Sequence, residues 1–299
     1  MPNEIPLEAV LFQILIGLTS GMLLFVVSSG LTLVFGVMRI INFAHGSIYM
    51  AAAFVAGALG QVLLETRIGF WAALVIVPIL MAIIGSLIEI VLFRRIYSKE
   101  ILLQLLLTYG LTLIFFDIVR SLFGSYIASL PQPEFLTSAA PPRVLGRRFP
   151  LYNALLIASG VLIGLGLWVL INRTRWGRLI RAAVANPEML SALGINVRWV
   201  FTGVFALGCW LAGVGGTLQA ARSTPALGMD SEIIIQAFAV VVIGGLGSIP
   251  GALLGSLIIG VTVAVGTLYV SQQAILLPFI AMALVLLLRP WGLLGKPEH

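Results

Sequence analysis

The chain has 299 residues, of which 60% are hydrophobic and 9% are charged, and its mean hydropathy is +1.13. A soluble domain carries roughly 25% charged residues, so this composition excludes a soluble protein and predicts one surrounded by membrane lipid. The net charge of +6 would suit nucleic acid. However, the basic residues lie in short connections between apolar runs, where they indicate membrane orientation and no nucleic-acid partner.

Nine apolar runs approach the length that crosses roughly 30 Å of hydrocarbon. The predicted fold is an all-α integral membrane protein, a polytopic helix bundle in which residues 1–299 form a single transmembrane domain. If the runs at 233–246 and 251–270 form a re-entrant pair, the bundle has eight crossings instead of nine. The predicted spans are 9–37, 46–64, 70–93, 101–123, 151–172, 199–219, 233–246, 251–270 and 274–288.

Basic residues predict how these spans are oriented. Placing the connection 173–198 in the cytoplasm puts eleven Lys and Arg residues inside and five outside, with Arg120 within a span. Cytoplasmic connections are enriched in Lys and Arg. The N-terminus, which carries Glu4 and Glu8, is therefore expected outside and the C-terminus inside.

The first break in the apolar pattern covers residues 38–46 and contains the only internal histidine, His45. An open backbone break in lipid costs several kcal/mol per unsatisfied group, so this segment lies at the surface, against other protein or along a water-filled path. Asn42 and His45 are candidates for such a path, although a structural role for the histidine fits the pattern equally well.

A second break, at residues 244–251, echoes the first, because Gly46-Ser47-Ile48 matches Gly247-Ser248-Ile249. Paired breaks in two halves of a transporter indicate internal repeats, here expected to be inverted, around a central pathway. The residues predicted to line this pathway are Asn42, His45, Ser47, Gly245 and Ser248.

The longest outer connection, 124–150, contains five prolines. Proline fixes its own backbone and restrains the preceding residue, so extended and turn conformations are favoured over helix. We expect an ordered flap on the periplasmic face.

The inner connection, 173–198, contains a helix start at Asn186-Pro187-Glu188 and a stop at Gly194. An N-cap amide, a proline in the first turn and a glycine after the last turn delimit a helix of about 187–193. This helix is either a surface turn resting on lipid headgroups or a docking helix for a cytoplasmic partner. Its expected apolar surface consists of Met189, Leu190, Ala192 and Leu193.

Three stretches together resemble the LivH-type permeases, the membrane subunits of ABC importers for branched-chain amino acids. They are GVMRIINFAHG at 36–46, RAAVANPEMLSALGI at 181–195 and VVIGGLGSIPG at 241–251. The resemblance implies a permease fold of the LivH and ribose-permease type in a bacterial inner membrane. It also implies that the inner helix couples to ATPases through Asn186, Pro187, Glu188, Met189, Leu190, Ala192, Leu193 and Gly194.

The resemblance further implies a heteromeric importer. The expected partners are a second, LivM-like permease, two LivF/LivG-like ATP-binding subunits that hold ATP and Mg²⁺, and a periplasmic solute-binding protein. The expected solute is a branched-chain or other amino acid. Urea, short amides and aromatic or small carboxylates are alternatives within the same class.

The sequence itself predicts neither an enzyme nor a bound cofactor. Its Gly295-Lys296 pair is followed by Pro297 and not by the Ser or Thr of a phosphate-binding loop, and His45, His299 and Cys209 are too scattered for a metal site. The alternative from another class is an ion-coupled secondary transporter or channel, which would require ionisable residues within spans. Glu89 and Asp117 are the clearest candidates, and both have basic neighbours in sequence.

Overall fold

A computed structural model describes residues 6–63, 68–97, 99–125, 127–138 and 140–295. This part of the chain forms a bundle of twelve α-helices with one hairpin, in which β1 (Arg143–Val144) pairs antiparallel with β2 (Arg147–Arg148). The helices are α1 (Leu7–Met38), α2 (Ala44–Val62), α3 (Gly69–Val91), α4 (Ile101–Phe123), α5 (Glu134–Ser138), α6 (Leu151–Arg173), α7 (Arg175–Ala185), α8 (Pro187–Ala192), α9 (Val197–Arg222), α10 (Met229–Gly244), α11 (Ile249–Tyr269) and α12 (Leu277–Leu288).

A helix occurs at each of the nine predicted spans, and the all-α membrane fold is confirmed. Within the described residues, six helices are long and apolar enough to cross a membrane by length and composition: α1, α3, α4, α6, α9 and α11. The helices α2, α10 and α12 are shorter or less apolar, so nine crossings remain a prediction. The last predicted span, 274–288, opens with a 3₁₀ turn at Ser271–Leu276 before α12 begins.

The helix α1 packs against α6, α9, α10 and α11. Its contact with α11 depends on small residues. A Cβ placed on Gly17 would lie 2.8 Å from the carbonyl oxygen of Gly260, and one on Gly21 would lie 2.8 Å from that of Ser256. Because lipid supplies little hydrophobic drive between helices, this close backbone approach provides the packing that holds the pair together.

The outer connection lies against α9 in extended form, as its prolines predict. The backbone N–H of Leu130 donates to the carbonyl oxygen of Ala220 at 2.9 Å, and that of Ile127 donates to Pro225 at 3.3 Å. Two local elements, α5 and the hairpin, were not expected from the prolines.

The inner connection holds two helices, although one was expected. Thr174 caps the additional helix, α7, by accepting a hydrogen bond from the N–H of Gly177 at 3.1 Å. Gly177, Ile180 and Ala183 are buried. Their spacing of three residues places them on one face, which packs on the bundle and leaves the arginines of α7 exposed.

Candidate functional site

The first break returns into the bundle. After α1 ends at Met38, the chain runs back along that helix, so that Nε2 of His45 lies 2.9 Å from the carbonyl oxygen of Val27. Val27 lies eleven residues before the end of α1, which corresponds to about 16 Å of helix. A carbonyl can only accept, so Nε2 of His45 carries the hydrogen. The break therefore lies against other protein.

Asn42 lies within this returning segment and is completely buried. Neither polar atom of its side-chain amide has a hydrogen-bond partner among the described residues. The neighbouring backbone is held more firmly, because the hydroxyl of Thr108 on α4 donates to the carbonyl oxygen of Ile41 at 3.3 Å. Asn42 is thus a buried amide on a well-held backbone.

The N-termini of α2 and α10 meet beside this segment. The hydroxyl of Ser47 donates to Oδ2 of Asp230 at 3.3 Å, and a Cβ on Gly46 would lie 2.5 Å from the Asp230 carbonyl oxygen. Asp230 is buried, and its Oδ1 has no hydrogen-bond partner in the described part of the chain. The positive ends of two helix dipoles stabilise this carboxylate.

Sequence reasoning missed Asp230. The signal available was an acidic residue at the start of an apolar run, directly after a Gly-Met pair. Its partner Ser47 lies 183 residues away in the sequence, so only the tertiary structure shows that the two side chains meet.

The second break is closed by the segment that follows α12. Gly245 has φ of 98°, and the backbone N–H groups of Leu293 and Leu294 donate to the carbonyl oxygens of Ile243 and Gly244 at 2.8 and 3.1 Å. These bonds satisfy carbonyls that the end of α10 would leave unpaired. Ser248 caps α11 by accepting from the N–H of Gly251 at 3.1 Å.

The five residues predicted to line a pathway therefore fall into two groups. Asn42, His45 and Ser47 are fully buried at or just before the start of α2, where Ser47 contacts Asp230, whereas Gly245 and Ser248 shape the second break. The second break touches the end of α1, where Gly36 in the last turn lies against Gly247.

The helix α8 begins at Pro187 and ends at Ala192, one residue before the end of the predicted range of about 187–193. The side chain of Asn186 accepts a hydrogen bond from the N–H of Met189 at 2.9 Å, with Pro187 and Glu188 in the first turn. Gly194 follows the helix with φ of 80°, a left-handed conformation that glycine adopts at low cost.

The expected apolar surface of α8 is partly wrong. Met189 and Leu193 are 61% and 73% exposed, and Ala192 is exposed as well, but Leu190 is 4% exposed and belongs to the core. The reason is tertiary, because α7 and α9 pack on the side of α8 that carries Leu190. The exposed apolar patch consists of Met189, Ala192 and Leu193.

Glu89 is fully buried and fully partnered. Its Oε1 lies 3.5 Å from Nε of Arg94 and accepts from the hydroxyl of Tyr97, and its Oε2 accepts from Thr202 at 2.5 Å. Burial and then the hydrogen bond to Glu89 raise the pKa of Tyr97. Arg94 also stacks over Trp199, 5.1 Å from the ring centroid. These contacts tie α3 to the start of α9, beside α8, which indicates a structural role for Glu89.

Asp117, the other ionisable candidate, is exposed on α4, as is Arg120. Among the residues that the structure describes, no group of three or more His, Cys, Asp or Glu side chains could hold a metal ion.

Residues 13–288 match the family described as branched-chain amino acid transport system / permease component. The permease LivH of Salmonella typhimurium is 31% identical over 298 residues, and BraD of Pseudomonas aeruginosa is 31% identical over 302 residues. Each alignment covers 96% of both chains. A probable LivH of Methanocaldococcus jannaschii is 28% identical over 91% of this chain and 89% of its own. Among solved structures, PsaBC from Streptococcus pneumoniae in complex with Fab covers 90% of this chain and 89% of that chain at 13% identity. Its TM-score of 0.49 is too low to bear on the fold.

The family match extends over nearly the whole length of the chain and includes both breaks and α8. Its members are transport permeases, in agreement with a helical bundle that contains membrane-spanning helices. The chain belongs to the family of permease components of branched-chain amino acid transport systems.

Proposed function

We propose that this permease forms the transmembrane pathway of an ATP-driven importer that passes a small polar solute from a periplasmic binding protein to the cytoplasm. The solute is a branched-chain or other amino acid, with urea, short amides and aromatic or small carboxylates as alternatives. The observation that carries the proposal is the similarity, over 96% of the chain, to LivH and BraD, which are named for high-affinity branched-chain amino acid transport. The partners are a LivM-like permease and two LivF/LivG-like ATPases, which bind ATP and Mg²⁺.

The ATPase contact in this proposal is the helix α8. Its exposed patch of Met189, Ala192 and Leu193 lies on a short, doubly capped helix, a shape that fits a groove on a partner. A groove of about 560 Å³, lined among others by Glu188, Ser191 and Arg198, adjoins this helix. The combination offers apolar anchors with a polar rim, as protein interfaces require.

Movement of α8 would reach the bundle through two sets of contacts. The buried side chain of Leu190 joins α8 to the core, and Trp176 of α7 contacts Gly203 of α9 so closely that a Cβ on that glycine would lie 2.3 Å from the indole ring. The Glu89, Arg94 and Thr202 contacts then join α9 to α3. This continuity supports a rigid transmission from the ATPase side into the pathway.

The pathway residues in this proposal are Asn42, His45, Ser47, Gly245 and Ser248. An unpaired buried amide costs about 1–3 kcal/mol. Asn42 retains this cost in the conformation described here, which fits a segment that changes its partners during transport. Because Gly247 in the second break contacts the last turn of α1, which leads into the first break, Gly245 and Ser248 would move with that segment.

Orientation is part of the same proposal. The excess of Lys and Arg in 173–198 supports a cytoplasmic α8, a periplasmic N-terminus, a cytoplasmic C-terminus and a periplasmic flap at 124–150. The terminal positions suited to labelling, Asn3 and Pro297, lie outside the described residues. Cysteine accessibility at these two positions measures the orientation directly, and equal labelling from outside would contradict it.

The decisive experiment is reconstitution of the permease with its ATPase and permease partners in vesicles, together with the binding protein. Labelled leucine should accumulate with ATP and Mg²⁺ and should not accumulate with ADP, and a protonophore should leave uptake unchanged. Uptake that survives without ATP and collapses with the protonophore would instead establish an ion-coupled transporter. Competition by unlabelled urea, amides or aromatic carboxylates then ranks the solutes.

A further inference from the structure

A lateral groove of about 530 Å³ lies between α1, α6 and the start of α11. Its walls are mainly apolar and include Phe25, Leu165 and Leu253. Glycine opens the groove on the α6 side, where Gly164 leaves room beside Phe25. This volume is within the range of roughly 300–1,000 Å³ that holds small molecules. All three helices are membrane-capable, and the mainly apolar walls suit an acyl chain.

One end of the groove is basic. Trp168 lines the wall and carries the guanidinium of Arg173 over its ring, 5.6 Å from the centroid. Ile171 lines the same wall, and its carbonyl oxygen accepts a hydrogen bond from Arg181. Both arginines are exposed, so two oriented cations adjoin the apolar groove through residues of its own wall.

The sequence supplies few carboxylates to oppose these cations. Residues 135–187, which include α6 and α7, contain no Asp or Glu, and neither do residues 233–297, which include α11. The single acid of α1, Glu8, lies in its first turn, far from the end that approaches the second break. The helices α6 and α7 therefore carry no carboxylate that competes for Arg173 and Arg181, and the nearest acid in sequence is Glu188 at the start of α8. Arginine is well suited to hold phosphate.

We propose that this groove binds an anionic phospholipid, with an acyl chain between α1, α6 and α11 and the headgroup phosphate between Arg173 and Arg181. A basic end on an apolar cleft between membrane helices is the chemistry that selects anionic headgroups. Trp168 adds an indole at the boundary between the basic end and the apolar cleft. Tryptophan is enriched at such boundaries between apolar and polar regions in membrane proteins. Gly247 and Ser248 of the second break also line this groove, whereas α8 contributes no residue to its walls.

Fluorescence quenching by brominated lipid tests the proposal. The importer complex, purified through a tag on this chain, is placed in nanodiscs with brominated phosphatidylglycerol or brominated phosphatidylcholine at equal mole fraction. Trp168 is isolated by replacing the five other tryptophans of this chain with phenylalanine: Trp71, Trp176, Trp199, Trp210 and Trp291. Those of the partner subunits are replaced in the same way. Phosphatidylglycerol should quench Trp168 at a lower mole fraction, and Arg173→Gln should reduce this preference about fivefold.

Matched variants distinguish lipid binding in the groove from lipid contact with the general surface of the protein. Gly164→Leu fills the groove and should abolish the preference, whereas Gly166→Leu should retain it, because a Cβ on Gly166 meets nothing within 4 Å. Arg120→Gln on exposed α4 should also retain it. If the tryptophan-free background fails to fold, native mass spectrometry of the complex with unsubstituted tryptophans provides the readout: a retained phosphatidylglycerol that is lost in Arg173→Gln.

Two results would overturn the proposal. Equal quenching by both lipids would show ordinary contact with surrounding lipid. Absence of quenching by either lipid in the complex would show that a partner helix covers the groove.

Discussion

Gly36 and Gly247 bring the end of α1 into backbone contact with the second helix break, since a Cβ placed on Gly36 would lie 2.7 Å from the Cα of Gly247. Gly36 belongs to the last turn of α1, and Gly247 lies between α10 and α11 with φ of 79°. The end of α1, which leads into the first break, and the second break therefore form one junction.

This contact predicts that Gly36→Ala destabilises the permease. The new methyl group forces the end of α1 and the second break apart, and overpacking of this kind costs about 1–3 kcal/mol. Thermal unfolding in detergent measures the effect. Gly110→Ala on α4 is the control, because a Cβ there meets nothing within 4 Å, and its stability should be unchanged or slightly higher. Equal unfolding temperatures of Gly36→Ala and Gly110→Ala would show that the junction is loosely packed.

Asn42→Leu should separate stability from transport. The substitution removes a buried amide that has no partner among the described residues, so stability should rise by up to about 1–3 kcal/mol. If Asn42 changes partners during transport, ATP-dependent uptake should fall in the same variant while basal ATP hydrolysis persists. Gln104→Leu provides the contrast, because the Gln104 side chain donates to the Lys99 carbonyl at 3.1 Å and its loss should destabilise. Unchanged uptake in Asn42→Leu would assign Asn42 a structural role.

The patch on α8 predicts which substitutions uncouple the ATPases. Met189→Asp combined with Leu193→Asp places charge on the exposed patch and should weaken ATPase binding by about 2 kcal/mol or more, roughly thirtyfold, with the fold intact. Leu190→Asp should instead impair folding, because that side chain is buried. Pull-down of the ATPases and binding-protein-stimulated ATP hydrolysis measure coupling.

Val184→Asp on α7 is the matched control for this experiment, since Val184 is 43% exposed on the neighbouring helix. Wild-type coupling in the Met189 and Leu193 double variant would show that α8 is only a surface turn. Loss of coupling in Val184→Asp as well would extend the interface to α7.

Glu89→Gln should lower stability without changing the ATP dependence of uptake. The variant removes the carboxylate that opposes Arg94 and accepts from Thr202, and breaking one side of a buried ion pair costs about 3 kcal/mol. In the double variant with Arg94→Gln, the loss should be smaller than the sum of the two single losses. A shift of uptake toward dependence on a proton gradient would contradict the structural role.

Local chemistry was sufficient to predict most of the helices. Backbone groups in lipid must be satisfied within their own segment, so long apolar runs become helices whatever surrounds them. The bounds of α8 were predictable for a related reason, because the cap at Asn186 and the left-handed turn at Gly194 depend on adjacent residues alone. The additional helix α7 was missed because its buried stripe is short, with Gly177, Ile180 and Ala183 as its buried residues, and only one of these three has a large apolar side chain.

Tertiary structure decided which side chains meet. Met189 and Leu190 are adjacent and similarly apolar, yet one is exposed and the other buried, because the packing of α7 and α9 selects one face of α8. The sequence by itself determined a bundle of membrane helices with two breaks and a capped inner helix, since those depend on composition and near neighbours. Only the fold placed Ser47 against Asp230 and returned His45 to Val27, because such contacts depend on how distant helices pack.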